Sequence, residues 1–343
     1  MESANPLTAV QLRFPPPTSR VFGGFINLLI FNFGIMNHME KGVLKFRHIY
    51  SSAPWGGKMV GRHYGRSDVP EICSESWEIS GHRFGMSVVA EGPYAGWTMD
   101  QLVKAFGREL VGTKSPVTDR FPLLFKLVDA RWPLSIQVHP NERTSSLTGG
   151  EPKTEAWYVI KAFPGAALYA GLKHAFDEQD LREIVAQGPI LLDQLNPIRV
   201  TEGDMLYVPG GMPHAIGGGC FIYEVQQSSD TTYRFYDWDR KDKDGRKRPL
   251  HIEESFRSLD YTIPPPRVHR KDAMSTPFFR MRVVPLPYAL TVRTDGSSFV
   301  AGFVLSGATD RAEFGESFLI PATADELRIH PTAPDTRVIL TEL

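Results

Sequence analysis

The chain has 343 residues, 42% hydrophobic and 22% charged, an ordinary globular composition with length for about two domains. Lys and Arg number 38 against 39 Asp and Glu, a net charge of −1, which excludes the footprint of a dedicated nucleic-acid binder but leaves room for a local basic pocket. The 30 glycines and 27 prolines point to many turns between short strands, and the two cysteines, Cys73 and Cys220, are too few for a disulfide framework and fit a reducing compartment.

At the N-terminus, residues 21–39 carry no charged side chain except His38, and residues 22–33 are strongly apolar behind Arg13 and Arg20. A secretory signal would look similar. However, Asn27, Asn32 and Asn37 interrupt the run, no small-x-small cleavage site follows, and it falls short of the roughly 20 residues of a spanning helix. Residues 1–38 are therefore expected to be a disordered extension ahead of a true start at Met36 or Met39.

Regular patterning begins at Leu44. Residues 44–50 read as a first strand, Pro54-Trp55-Gly56-Gly57 as a turn, and residues 75–81 and 86–90 as strands rich in Trp, Ile and Val. Thr98 caps a helix with Leu102, Val103 and Phe106 on one face, ending near Gly112. Residues 121–129 and 134–138 are further strands, broken by Trp132-Pro133. A second helix spans residues 177–187, with an acidic first turn and Gly188 as its stop. Residues 200–227 alternate strands with glycine turns. Residues 241–248 alternate in charge sign and read as a solvated hairpin tip. Pro264-Pro265-Pro266 marks a linker, and residues 280–343 form several short strands.

The sharpest local pattern is Gly203-x5-Pro209-x-Gly211-x2-His214, a strand, a tight turn and a histidine opening the partner strand. Such a turn holds an imidazole on rigid elements, as a metal ligand must be held. The spacing resembles the second motif of the cupin barrels. Upstream, Gln137 and His139 alternate onto one face of a strand. Glu155 opens an apolar strand, where an unpaired carboxylate is costly unless it meets a cation. Two imidazoles, a carboxylate and an amide oxygen make a mixed N/O site suited to zinc or another divalent first-row ion. A plain Lys153–Glu155 ion pair is the bland alternative, and it leaves the other ligand types unexplained.

Residues 134–140 (LSIQVHP), 153–160 (KTEAWYVI), 203–219 (GDMLYVPGGMPHAIGGG) and 223–240 (YEVQQSSDTTYRFYDWDR) together resemble the type I mannose-6-phosphate isomerases, in their short bacterial form. PWGG, SESWEISGH and FPLLFKLVDA upstream fit the same family, from about Leu44 to Leu259 and more faintly beyond. The resemblance implies a mainly β fold, with a cupin-type β-barrel (jelly roll) catalytic domain over residues 39–260 and a smaller cupin-like β domain over residues 261–343. It implies a cytoplasmic, zinc-dependent aldose–ketose isomerase interconverting mannose 6-phosphate and fructose 6-phosphate, with one metal ion per chain. The implied metal ligands are Gln137, His139, Glu155 and His214. Arg234 is the implied active-site arginine, and Lys126, Ser135 and Lys153 match positions near substrate; the residues themselves add Lys153 as a catalytic candidate and Glu224 and Asp230 as substrate-facing ones. Longer family members carry Arg-x5-Lys where this chain has Arg234 and Arg240, a departure at the second cation.

Isomerisation moves a proton between carbon 1 and carbon 2 through an enediolate, whose charge a metal and a permanently cationic arginine can stabilise. The sequence leaves the base open among Glu224, Asp230, Lys153 and a metal-held water. Two other functions share some of these residues. An iron(II) oxygenase also uses two His and one carboxylate, but Gln137 and the cations weigh against it. A non-catalytic sugar-binding cupin is opposed by the complete ligand set. The expected partner is a sugar phosphate, with no nucleic acid or membrane, and monomer and dimer both stay open.

Overall fold

The Leu123–Ala130 strand is buried along its whole length, and the reason is visible in its alternation. Leu123, Phe125 and Leu127 join one apolar cluster, while Val128 and Ala130 join another. A strand covered on both faces reads as a continuous apolar run. This strand lies inside an antiparallel sheet whose order is Ile49–Ser51, Glu75–His82, Leu123–Ala130, Cys220–Gln227, Glu155–Ala162, Met205–Val208, with Gly85–Met86 beside the second strand.

A second antiparallel sheet runs Tyr233–Tyr236, Ile136–Val138, His214–Ile216, Ala167–Leu172, Leu195–Arg199. The two sheets pack face to face through Val128, Trp157, Val159 and Ile222 from the first and Leu168, Ala170 and Ile216 from the second. The arrangement is a mainly β, cupin-like sandwich, and no closed barrel forms among the described residues. The structure, a computed structural model, describes residues 38–241, 244–270 and 272–343; apart from His38, the N-terminal expectation lies outside them.

The outer face of the second sheet is covered by the helices Glu178–Ala186 and Ile252–Ser258, through Leu181, Val185 and Phe256. The outer face of the first sheet meets a third sheet, ordered Ala273–Ser275, Arg280–Pro285, Arg337–Glu342, Val300–Ser306, Ser317–Ile320. Tyr223 stacks on Phe303 across that boundary, ring centroids 4.6 Å apart. The helix Met99–Phe106 packs into the same apolar cluster. Its start is a reciprocal capping box: Gln101 N donates to the Thr98 hydroxyl, and Thr98 N to the Gln101 side chain. No helix among the described residues is long and apolar enough to cross a membrane.

Two strand expectations shrink. Within residues 44–50 only Ile49–Ser51 begins a strand, because Leu44 bridges Leu319 while Phe46 bridges Val89, so the segment is shared between different neighbours. Of residues 86–90, only Met86 belongs to a strand, Gly85–Met86; Val88 and Val89 form isolated bridges.

Candidate active site

The turn before His214 is built by glycine. Gly211 sits at φ 95°, and a Cβ there would lie 2.8 Å from the Asp260 Cβ. Its amide donates to the His139 carbonyl at 2.7 Å, fastening the turn to the end of the Ile136–Val138 strand. His214 also pairs directly with Gln137 across the strands. The two imidazoles therefore stand side by side, ring centroids 4.8 Å apart.

Glu155 reaches them from the facing sheet. Its Oε1 is 3.3 Å from His214 Nε2, and its Oε2 is 3.4 Å from His139 Nε2. One ligand atom from each of the three lies within 4.8 Å of the others, and all three residues are buried. Gln137 Nε2 is 3.1 Å from His214 Nε2, while Ser135 Oγ donates to Gln137 Oε1 at 3.0 Å. His214 Nδ1 lies 2.9 Å from the Met212 carbonyl, which fixes the tautomer that leaves Nε2 free to face the cluster.

The electrostatics fit a cation. Burial, then the Lys153 charge, pushes His139 down to about 3, and burial lowers His214 as well, so both imidazoles are neutral. Burial opposes ionisation of Glu155, but the Lys153 charge beside it holds the carboxyl well below the usual range. Lys153 Nζ is 3.5 Å from Glu155 Oε2, so the ion pair and the ligand cluster coexist. Both ring nitrogens of His139 and Glu155 Oε2 are nevertheless buried without a hydrogen-bond partner. Orphaned buried acceptors are costly, and neutral imidazoles with a carboxylate are the donor set a divalent ion satisfies.

Beside the cluster lies a cavity of about 220 Å³ between the two sheets. It is lined by Lys126, Ser135, Gln137, Lys153, Glu224, Asp230 and Arg234, so every substrate-facing and catalytic candidate from the sequence opens onto one space. His139, Glu155 and His214 sit behind it, reached through Gln137 and Lys153. Lys126 and Glu224 are opposite partners in adjacent strands, with Nζ 3.6 Å from Glu224 Oε1 and 3.7 Å from Glu75 Oε1. Burial and the Glu155 charge raise Glu224 to about 7, against the pull of Lys126 and Lys153. Arg234 lines the wall with its Nε buried and without a hydrogen-bond partner.

Glu75 and Arg248 line the cavity but were not among the residues singled out. Glu75 opens a strand and accepts from its neighbour's indole, Trp77 Nε1, at 2.8 Å. Arg248 corrects the hairpin-tip expectation. Lys241 and Lys247 do bridge, but the next residue turns inward with 27% of its side chain exposed. Arg240 is bound to Asp237 and the Pro133 carbonyl, a structural use of the second cation.

A sequence profile described as phosphomannose isomerase type I, catalytic domain, matches residues 43–158. The mannose-6-phosphate isomerase of Streptococcus mutans is 48% identical over 205 residues, 59% of this chain and 63% of that protein, so the match spans just under two thirds of that relative. The mannose-6-phosphate isomerase ManA of Bacillus subtilis is 37% identical over 226 residues, 65% of this chain and 70% of that protein. The solved structure of the mannose 6-phosphate isomerase from Bacillus subtilis superimposes with a TM-score of 0.78 at 28% identity, covering 88% of this chain and 99% of that one. The same fold, at 16% identity and a TM-score of 0.64, occurs in a mannose 6-phosphate isomerase solved with zinc and yttrium, covering 87% of this chain and 98% of that one.

Proposed function

This chain belongs to the mannose-6-phosphate isomerase family, and from that premise we propose that it interconverts mannose 6-phosphate and fructose 6-phosphate with one zinc ion per chain. The observation that carries the reading is the buried His139–Glu155–His214 cluster, set behind a cavity lined with cations and joined to it through Gln137 and Lys153.

Gln137, His139, Glu155 and His214 would hold the ion, Gln137 through its amide oxygen. Zinc suits the mixed N/O donors and is one of the two metals, with yttrium, bound in one fold relative. When bound, it supplies Lewis acidity toward oxyanion charge. Arg234, fixed opposite Gln137, donates charge-assisted hydrogen bonds to the developing enediolate oxygen. Glu224 carries the proton between carbon 1 and carbon 2. It lines the cavity, its Oε1 has no hydrogen-bond partner, and its carboxyl is raised to about 7, near the range where a general base works best. Lys126 holds Glu224 in place, and Lys153 keeps Glu155 ionised. Trp55, Val128, Leu134 and Ile216 form the apolar part of the wall and limit water.

Residues 39–260 are taken as the catalytic portion and 261–343 as a smaller β portion. Cys73 and Cys220 are buried and unpaired, in keeping with a reducing, cytoplasmic setting. A coupled assay of the zinc-loaded protein tests the proposal: mannose 6-phosphate yields fructose 6-phosphate, and the reverse reaction runs too. Oxygen uptake with a sugar, or no turnover, defeats it.

A further inference from the structure

Asp237 is buried and carries two arginines. Arg248 grips it through Nε on Oδ2 at 2.7 Å and Nη2 on Oδ1 at 2.5 Å, while Arg240 Nη2 also donates to Oδ1. The following turn is costly in backbone terms, since Trp238 and Asp239 both adopt positive φ, 58° and 52°. Two bonds tie it to the segment ahead of the Ile136–Val138 strand: Trp238 Nε1 donates to the Leu134 carbonyl at 2.7 Å, and Arg240 Nη1 to the Pro133 carbonyl at 2.5 Å. Arg240 is thereby committed to the scaffold. Arg248 is not, because it also lines the cavity, on the wall shared with Asp230, Thr232 and Arg234.

The charges around Arg234 do not cancel. Three guanidinium groups, Arg234, Arg240 and Arg248, meet two carboxylates, Asp230 and Asp237, and Arg234 Nε lacks a partner. A partly buried cationic surplus is unfavourable without an anion, and Arg248 already has its fork oriented by Asp237. Position along the wall separates Arg234 from Arg248. Arg234 lies opposite Gln137, next to the ligand cluster, whereas its other edge receives the following segment, with His251 N donating to the Arg234 carbonyl at 2.9 Å. Arg248 reaches the cavity from that segment, three residues before His251, and not from the strands that carry the ligand candidates.

We propose that Arg248, held by Asp237, is a specificity residue that receives the phosphoryl group of the substrate, at the end remote from the reacting carbons. The inference rests on the sugar-phosphate reading above.

Calorimetric titration of the zinc-loaded protein with a hexitol 6-phosphate and the matching free hexitol tests it, since neither ligand reacts. The wild-type protein is expected to prefer the phosphorylated ligand. Arg248→Gln weakens that ligand by roughly 10- to 100-fold, the range of a charged hydrogen bond, and Arg248→Lys lies between. Thr232→Asp, which sets a carboxylate on the same wall, produces a comparable loss and serves if Arg248→Gln fails to fold. Unchanged affinity in the variants, or a wild-type protein that binds both ligands equally, overturns the assignment. A wild-type protein that binds hexitol 6-phosphate through Arg248 yet leaves mannose 6-phosphate unconverted overturns the isomerase reading and leaves this one standing.

Discussion

Arg234 and Gln137 are cross-strand partners, paired in the antiparallel register of the Tyr233–Tyr236 and Ile136–Val138 strands. The pairing puts a permanent cation next to the metal-ligand cluster without making it part of that cluster. Its burial, together with the charges of Arg248 and Arg240, lowers the arginine below its ordinary value, yet an arginine stays protonated across the working range. Arg234→Ala should therefore keep its zinc and lose turnover, by about 10²-fold or more if the guanidinium stabilises an oxyanion. Metal analysis beside steady-state kinetics decides it. Full activity would remove Arg234 from the chemistry.

Stripping the ion with a chelator is expected to abolish mannose 6-phosphate turnover, and zinc to restore it. Melting should respond as well. Both ring nitrogens of His139 and Glu155 Oε2 are buried without a hydrogen-bond partner, and an ion that binds only the folded state would stabilise it by mass action. A melting midpoint indifferent to zinc, or undiminished turnover in fully metal-free protein, would contradict the ligand assignment.

Asp129 offers a stability test away from the metal. Burial raises its carboxyl from 3.8 to about 6, although Met59 N donates to Oδ2 at 2.6 Å. A raised carboxyl binds its proton more tightly in the folded state. Its stabilising contribution is thus complete below about 3.8 and is lost as pH rises through about 6. Asp129→Asn keeps an acceptor for Met59 and carries no charge, so it should raise the melting midpoint at pH 8 and change it little at pH 4. A midpoint lowered equally at both pH values would show that packing at Asp129, rather than its charge, decides.

What the sequence revealed and what it hid have physical causes. Gln137, His139 and His214 were legible because strand alternation and a glycine turn are local, and the structure keeps both. The Thr98 cap and the helix after Asp177 were legible for the same reason. The Lys126–Glu224 pairing depends on the register of two strands about a hundred residues apart, which no local pattern encodes. Arg248 was hidden more thoroughly. Its neighbours alternate in charge like a solvated tip, and only Asp237, eleven residues earlier, turns it inward. The short helices Met59–Tyr64 and Ile252–Ser258 escaped because six or seven residues carry little periodicity.

Glu224 links turnover and stability with opposite signs. Burial and the neighbouring Glu155 charge raise its carboxyl from 4.5 to about 7. As a general base it must be ionised, so kcat/KM should fall as pH drops, with an acid limb at or below about 7, since an ion on Glu155 removes part of the repulsion. Folding runs the other way. The stabilising contribution of the raised carboxyl is present below about 4.5 and lost as pH rises through about 7, so the pH that arms the base is the pH at which it destabilises the fold. Glu224→Gln should lower kcat by about 10²- to 10⁴-fold, flatten the acid limb, and melt higher than the wild type at pH 8. A variant that keeps the wild-type pH profile would shift the proton transfer to Asp230 or Lys153.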